Sequence, residues 1–121
     1  MEYVLNDNLS KEELMNLGFT NRNKPFLYYH KALYTKSYFD TVTLNITIDL
    51  DNKEFNIIVL DEAYFQPYLP FYNDRSIYFY HDNKTIYNQE VLNIVKENFD
   101  KEMNILVENG VFKKKDIVKT L

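Results

Sequence analysis

The stretch from Val42 to Leu50 constrains this chain more than any other. Apolar Val42, Leu44, Ile46, Ile48 and Leu50 alternate without a break with polar Thr43, Asn45, Thr47 and Asp49. A period of two puts the first set on one face of a β-strand and the second set on the other. One apolar face and one polar face is the pattern of a half-buried antiparallel strand. Asp51-Asn52-Lys53 then reads as a tight turn, and residues 54–61 return as the partner strand, with Phe55, Ile57 and Val59 on one face. The partner departs from the pattern in one respect. Ile58 and Leu60 put apolar groups on the opposite face too, so that face needs a cover or is sticky.

The rest of the chain supplies elements to set against this hairpin. Residues 26–34 read as a strand, with Phe26, Tyr28, His30, Ala32 and Tyr34 on one face and Leu27, Tyr29, Lys31 and Leu33 on the other. Residues 9–18 read as a short helix. Ser10 is its N-cap, Glu13 completes a capping box, Leu9 and Leu14 stand at the staple positions, and Gly18 closes it. A helix this short needs docking to persist, and Phe19 is the anchor. Residues 88–109 read as a long helix capped by Asn88 or a neighbour, with Val91, Leu92, Val95, Phe99, Met103 and Leu106 in one stripe and Gly110 at its end. Pro67 and Pro70 break residues 62–75 into an irregular segment. Ile77 to Tyr80 reads as a short strand and His81 to Lys84 as a turn.

These elements predict a single α+β domain over 1–121. Its antiparallel sheet has three to four strands, with the long C-terminal helix packed across one face and a short N-terminal helix beside it. Burying the helix stripe on the Val42–Leu50 face supplies on the order of 10 kcal/mol before entropy, at about 1.5–3 kcal/mol per large side chain.

Composition narrows the function by exclusion. The chain has no Cys, which removes disulfides, thiolate metal sites and thiol catalysis. Its only glycines, Gly18 and Gly110, read as helix C-caps, so no phosphate-cradling loop is expected. Two histidines, His30 and His81, fall short of a zinc ligand set. Asp49, Asp51, Asn52 and Glu54 lack the Gly and the distal Glu of a calcium loop. The acids Asp61 and Glu62 adjoin the aromatic segment as in a small hydrolase with an acidic pair. Neighbours on a strand point to opposite faces, however, and cannot easily flank one bond. The expectation is therefore no catalytic residue, no metal and no cofactor. A net charge of −4 opposes non-specific attraction to nucleic acid or anionic membrane and fits a basic protein partner. No apolar run approaches the roughly 18 residues of a membrane span. Glu2, Asn6 and Asp7 stand where a signal peptide needs a basic and then an apolar segment, so the expected location is the cytoplasm.

What remains is an aromatic load of 11 Tyr and 9 Phe in 121 residues, concentrated between Tyr64 and Tyr87. Tyr, Phe and Arg are enriched at interface cores and hot spots, and loops on rigid scaffolds carry binding residues. The candidate protein-binding residues are therefore Tyr64, Phe65, Tyr68, Phe71, Tyr72 and Arg75, with Ile58 and Leu60 beside them, and the adjacent strand edge is expected to add main-chain hydrogen bonds to a partner. The competing reading makes this segment a lid over the second sheet face. A ranked alternative is single-stranded nucleic-acid binding by stacking on Tyr28, Tyr29, Tyr78, Phe79 and Tyr80. Only Lys31, Lys36, Arg75 and Lys84 accompany those rings.

The Asn-, Lys-, Ile- and Tyr-rich composition, the opening Leu9-Ser-Lys-Glu-Glu-Leu-Met-Asn-Leu-Gly-Phe19 and the hairpin Ile46-Thr-Ile-Asp-Leu-Asp-Asn-Lys-Glu-Phe55 carry a resemblance. The chain resembles the small uncharacterised proteins of phages and mobile elements in low-GC Gram-positive bacteria. That resemblance implies a binding role, often inhibition of a host enzyme or defence complex, and transfers no catalytic residue. The expected partner is a protein, either a host protein or a second copy in a homodimer.

Overall fold

The computed structural model describes residues 3–23, 25–73 and 86–115. In chain order the elements are β1 (Tyr3–Leu5), α1 (Lys11–Asn16), β2 (Thr20–Asn23), β3 (Phe26–Ser37), β4 (Asp40–Asp49), β5 (Glu54–Asp61), β6 (Gln66–Pro67), α2 (Leu69–Tyr72), α3 (Gln89–Glu108) and β7 (Phe112–Lys114). Strands β2 to β6 form one antiparallel sheet in sequence order. The alternating strand β4 is its centre. Ile46 stands opposite Tyr29 and Ile57, and Ile48 opposite Leu27 and Phe55. Val42, Leu44, Ile46 and Ile48 are buried together with Leu27 and Val59.

The helix α3 covers that apolar face. All six stripe residues, Val91, Leu92, Val95, Phe99, Met103 and Leu106, are buried. The helix is pinned to β3 by polar contacts as well. Asn98 Nδ2 donates to the Leu33 carbonyl at 2.7 Å, and Lys31 Nζ lies 3.0 Å from Glu102 Oε1. Both main helices start and stop where their residues demand. Ser10 Oγ accepts from Glu13 N–H, and Asn88 Oδ1 accepts from Val91 N–H. At the C-termini Gly18 and Gly110 adopt φ of +105° and +78°. Phe19 N–H then reaches back to the Leu14 carbonyl, and Val111 N–H to the Leu106 carbonyl. Leu14, Phe19, Leu106 and Val111 are all buried, so each stop also anchors its helix in the core.

Three expectations change. The sheet has five strands rather than three or four, because Thr20–Asn23 and Gln66–Pro67 add short edges. A second, two-stranded ribbon pairs β1 with β7, setting Leu5 opposite Phe112. Tyr34 changes face relative to His30. The β3–β4 register slips between Ala32 and Tyr34, a bulge that leaves Leu33 buried and brings Tyr34 opposite the buried Val42, packed against the core. The readings of Ile77–Tyr80 as a strand and of His81–Lys84 as a turn lie outside the described residues.

Candidate functional site

Two turns meet at one end of the sheet. The first joins β3 to β4 through Tyr38 and Phe39. Ser37 stands opposite Asp40, Ser37 Oγ donates to Asp40 Oδ2 at 3.2 Å, and Thr41 Oγ1 donates to the Ser37 carbonyl at 3.0 Å. The second runs from Glu62 to Phe65 between β5 and β6, and Glu62 N–H donates to the Thr41 carbonyl, tying the two turns together. Both turns present aromatic rings to solvent. Tyr38 is 89% exposed, Phe39 72%, Tyr64 74% and Phe65 80%. Tyr38 and Phe39 meet edge to face at 5.2 Å. Phe65 adopts φ of +49°, a left-handed conformation that a bulky side chain rarely takes and that costs about 1–2 kcal/mol. Exposed rings on a strained turn do nothing for the core.

Beneath them lies Asp61, 1% exposed, opposite Val42 at the end of β5. The Tyr87 hydroxyl donates to Asp61 Oδ2. Among the described residues, Asp61 Oδ1 is a buried side-chain oxygen with no hydrogen-bond partner. Leaving it so costs about 1–3 kcal/mol, and more for a charged group. A cavity of about 330 Å³ opens here, with Phe39, Ala63, Tyr64 and Ile86 in its wall beside Asp40, Asp61 and Tyr87. The surrounding tyrosines respond to the buried acid. Burial, the hydrogen bond to Asp61 and the Asp61 charge all push the Tyr87 pKa up, while a hydrogen bond from Gln66 opposes them. Burial first, then its neighbours Tyr87, Asp61 and Tyr34, raise that of Tyr68.

The expected binding residues divide. Tyr64 and Phe65 are at this site. Tyr68 is not a surface residue: it is fully buried, packs on Tyr87 at 5.6 Å and donates its hydroxyl proton to the Ile86 carbonyl at 2.5 Å. Phe71 is half-buried against Phe99, with ring centroids 4.8 Å apart. Tyr72 is half exposed, but its hydroxyl oxygen accepts from Val59 N–H. Arg75 lies outside the described residues. Ile58 and Leu60 are half-buried on the sheet face away from the core. The segment is thus neither a free loop nor a lid over that face. Its inward residues close the edge of β5, where Pro67 pairs with Leu60 and Tyr68 N–H bonds the Val59 carbonyl. The β5 edge, which could otherwise add a partner strand, is occupied from Val59 to Asp61 by the chain itself.

Tyr38, Phe39, Asp61 and Tyr87 join the site without having been singled out for it. The signal for the first two was present: two adjacent rings between Ser37 and Asp40 sit where a tight turn expects small or polar residues. Asp61 and Glu62 diverge as neighbours on a strand should. Asp61 turns to Tyr87. Glu62 lies on the other face, where Oε2 accepts from Thr43 Oγ1 at 2.6 Å and Oε1 lies 3.4 Å from His30 Nε2. Asn45 Nδ2 extends that network to Thr43 Oγ1. Of the rings suited to base stacking, Tyr29 is buried and bonded to Glu102, while Tyr78, Phe79 and Tyr80 lie outside the described residues. Asp49 serves its own turn, accepting from Asn52 Nδ2 and from the backbone N–H groups of Asp51 and Asn52, and these bonds hold its pKa down, the Asn52 side chain most. Among the described residues no group of three or more His, Cys, Asp or Glu gathers, and no helix is long and apolar enough to cross a membrane.

No family model matches the chain, and no curated protein matches it. Its fold is similar to that of a DUF1831-family protein from Lactobacillus plantarum, with a TM-score of 0.69 at 16% sequence identity over 93% of this chain and 86% of the other. At that identity the likeness establishes the α+β fold.

Proposed function

We propose that the chain is a non-catalytic protein-interaction module that docks a partner through the aromatic end of its sheet. One observation carries the reading: Tyr38, Phe39, Tyr64 and Phe65 stand exposed on two adjoining turns at the same end of a rigid sheet. Aromatic rings are enriched in interface cores, and turns anchored by a scaffold present them with little further loss of entropy. The net charge of −4 favours a partner with basic groups. In the setting the sequence resembles, that partner is a host enzyme or defence complex that the chain inhibits. The single-strand nucleic-acid reading has less support, because Tyr29 and Lys31 are both committed to Glu102.

The test is partner capture by the double variant Tyr64→Ala with Phe65→Gly. It is expected to lose the captured protein while its melting temperature is unchanged or higher, since Gly accepts the φ of Phe65 without strain. Capture equal to that of the unmodified chain would remove this surface from the interface. Self-association through the half-buried Ile58 and Leu60 is the variant of this reading, and sedimentation of the chain across a concentration series separates it from docking of a different protein.

A further inference from the structure

The cavity under the exposed rings has a chemistry of its own. Among the described residues that line it, the charged side chains, Asp40 and Asp61, are both acidic and none is basic. Among the described residues Asp61 Oδ1 is buried without a donor, whereas Oδ2 is held by Tyr87. A buried carboxylate oxygen in this state calls for a donor from outside the described chain. The wall decides which donor fits. Two carboxylates repel an anion. A divalent cation such as calcium needs about six oxygen ligands, and the rest of the wall is aromatic and aliphatic among the described residues. A guanidinium meets both halves of the site: it is planar and stacks on rings such as Phe39 and Tyr64, and it presents several N–H donors at fixed angles to carboxylates. About 330 Å³ is at the small end of ligand sites of roughly 300–1,000 Å³, a volume suited to one side chain.

We propose that this cavity receives the guanidinium of an arginine side chain presented by the protein partner. The source of the arginine rests on the docking reading above; the chemistry of the cavity does not. Asp61 is the buried acceptor, Tyr87 positions it through Oδ2, Asp40 adds a second negative charge, and Phe39 with Tyr64 flanks the planar group.

The experiment titrates the chain with N-acetyl-arginine methylamide, with its neutral isostere N-acetyl-citrulline methylamide and with N-acetyl-lysine methylamide bearing a free side-chain amine, following backbone and tyrosine ring resonances by NMR. The arginine probe should shift signals of Asp61, Tyr64 and Tyr87 saturably, the citrulline probe should not, and the lysine probe should bind more weakly. Asp61→Asn, near-isosteric and uncharged, should weaken arginine binding about tenfold or more. If that variant does not fold, Tyr64→Ala, which removes an exposed ring, should weaken it about threefold. A null or unsaturable response to arginine overturns the proposal. So do equal binding of citrulline, tighter binding of lysine, or full binding by folded Asp61→Asn or Tyr64→Ala. The two readings fail separately. An arginine null with partner capture still lost in the Tyr64→Ala, Phe65→Gly variant sinks only the cavity assignment. Undiminished capture by that variant sinks the docking surface.

Discussion

Tyr29 turns inward from β3, and its hydroxyl donates to Glu102 Oε2 at 3.0 Å. Burial, that hydrogen bond and the Glu102 charge push its pKa up to about 12. Tyr68 and Tyr87 are raised as well, burial being the leading cause for each. An unfolded tyrosine ionises near pH 10, so above that pH the unfolded chain gives up protons that the folded chain keeps. Stability from these residues is therefore complete below about pH 10 and is lost progressively as pH rises above it, for Tyr29 through about 12. Urea midpoints across this range should be level and then fall, and Tyr29→Phe should fall less steeply than the unmodified chain. Asp49 has the opposite sign. Its pKa is held below the usual carboxylate value, so its stabilising bonds are present above the unfolded pKa and are lost as pH falls through the folded one. Asp49→Ala should lower the melting temperature at neutral pH and flatten the acid limb of the stability profile. The inward face of Tyr29 was legible from alternation with Leu27. The face of Tyr34 was not, because a bulge is a property of two strands in register and leaves no mark on one.

The helices were the most legible elements. Ser10, Asn88, Gly18 and Gly110 act through backbone groups within four residues of themselves, so their roles can be read locally. Asn88→Ala should cost about 1 kcal/mol through loss of the bond to Val91 N–H, measured by urea unfolding. The β1–β7 ribbon is the contrary case. Its strands are three residues each, too short to display a period, and their pairing joins residues about a hundred positions apart. Yet it closes the molecule. Phe112 is buried against Phe55 at 5.1 Å and Tyr3 at 6.1 Å, and Asn6 bonds the carbonyls of Val111 and Gly110. Phe112→Ala should therefore destabilise the chain by about 3–5 kcal/mol, and hydrogen exchange should report early opening of β1 together with the end of α3.

At the scale of the whole molecule, stability and the proposed binding are drawn from opposite ends of the sheet's chemistry. The face under α3 is filled with buried aliphatic and aromatic side chains. The end at Tyr38 and Tyr64 keeps exposed rings, a strained Phe65 and a buried carboxylate oxygen without a partner among the described residues. Features that cost stability in the isolated chain and cluster at one place are expected where a partner completes them. The Tyr64→Ala, Phe65→Gly variant makes the contrast measurable, because it should lose capture without losing stability. The sequence by itself determined the α+β class, the central hairpin, the apolar stripe of α3 and the caps of both main helices, since each depends on periodicity or on neighbours along the chain. Only the tertiary structure decided which aromatic rings are core and which are surface. Tyr64 and Tyr68 have the same side chain and lie four residues apart in one segment, but Tyr68 packs between β5 and Tyr87 while Tyr64 remains on the turn. Burial is set by what the rest of the chain brings alongside, and no local pattern records it.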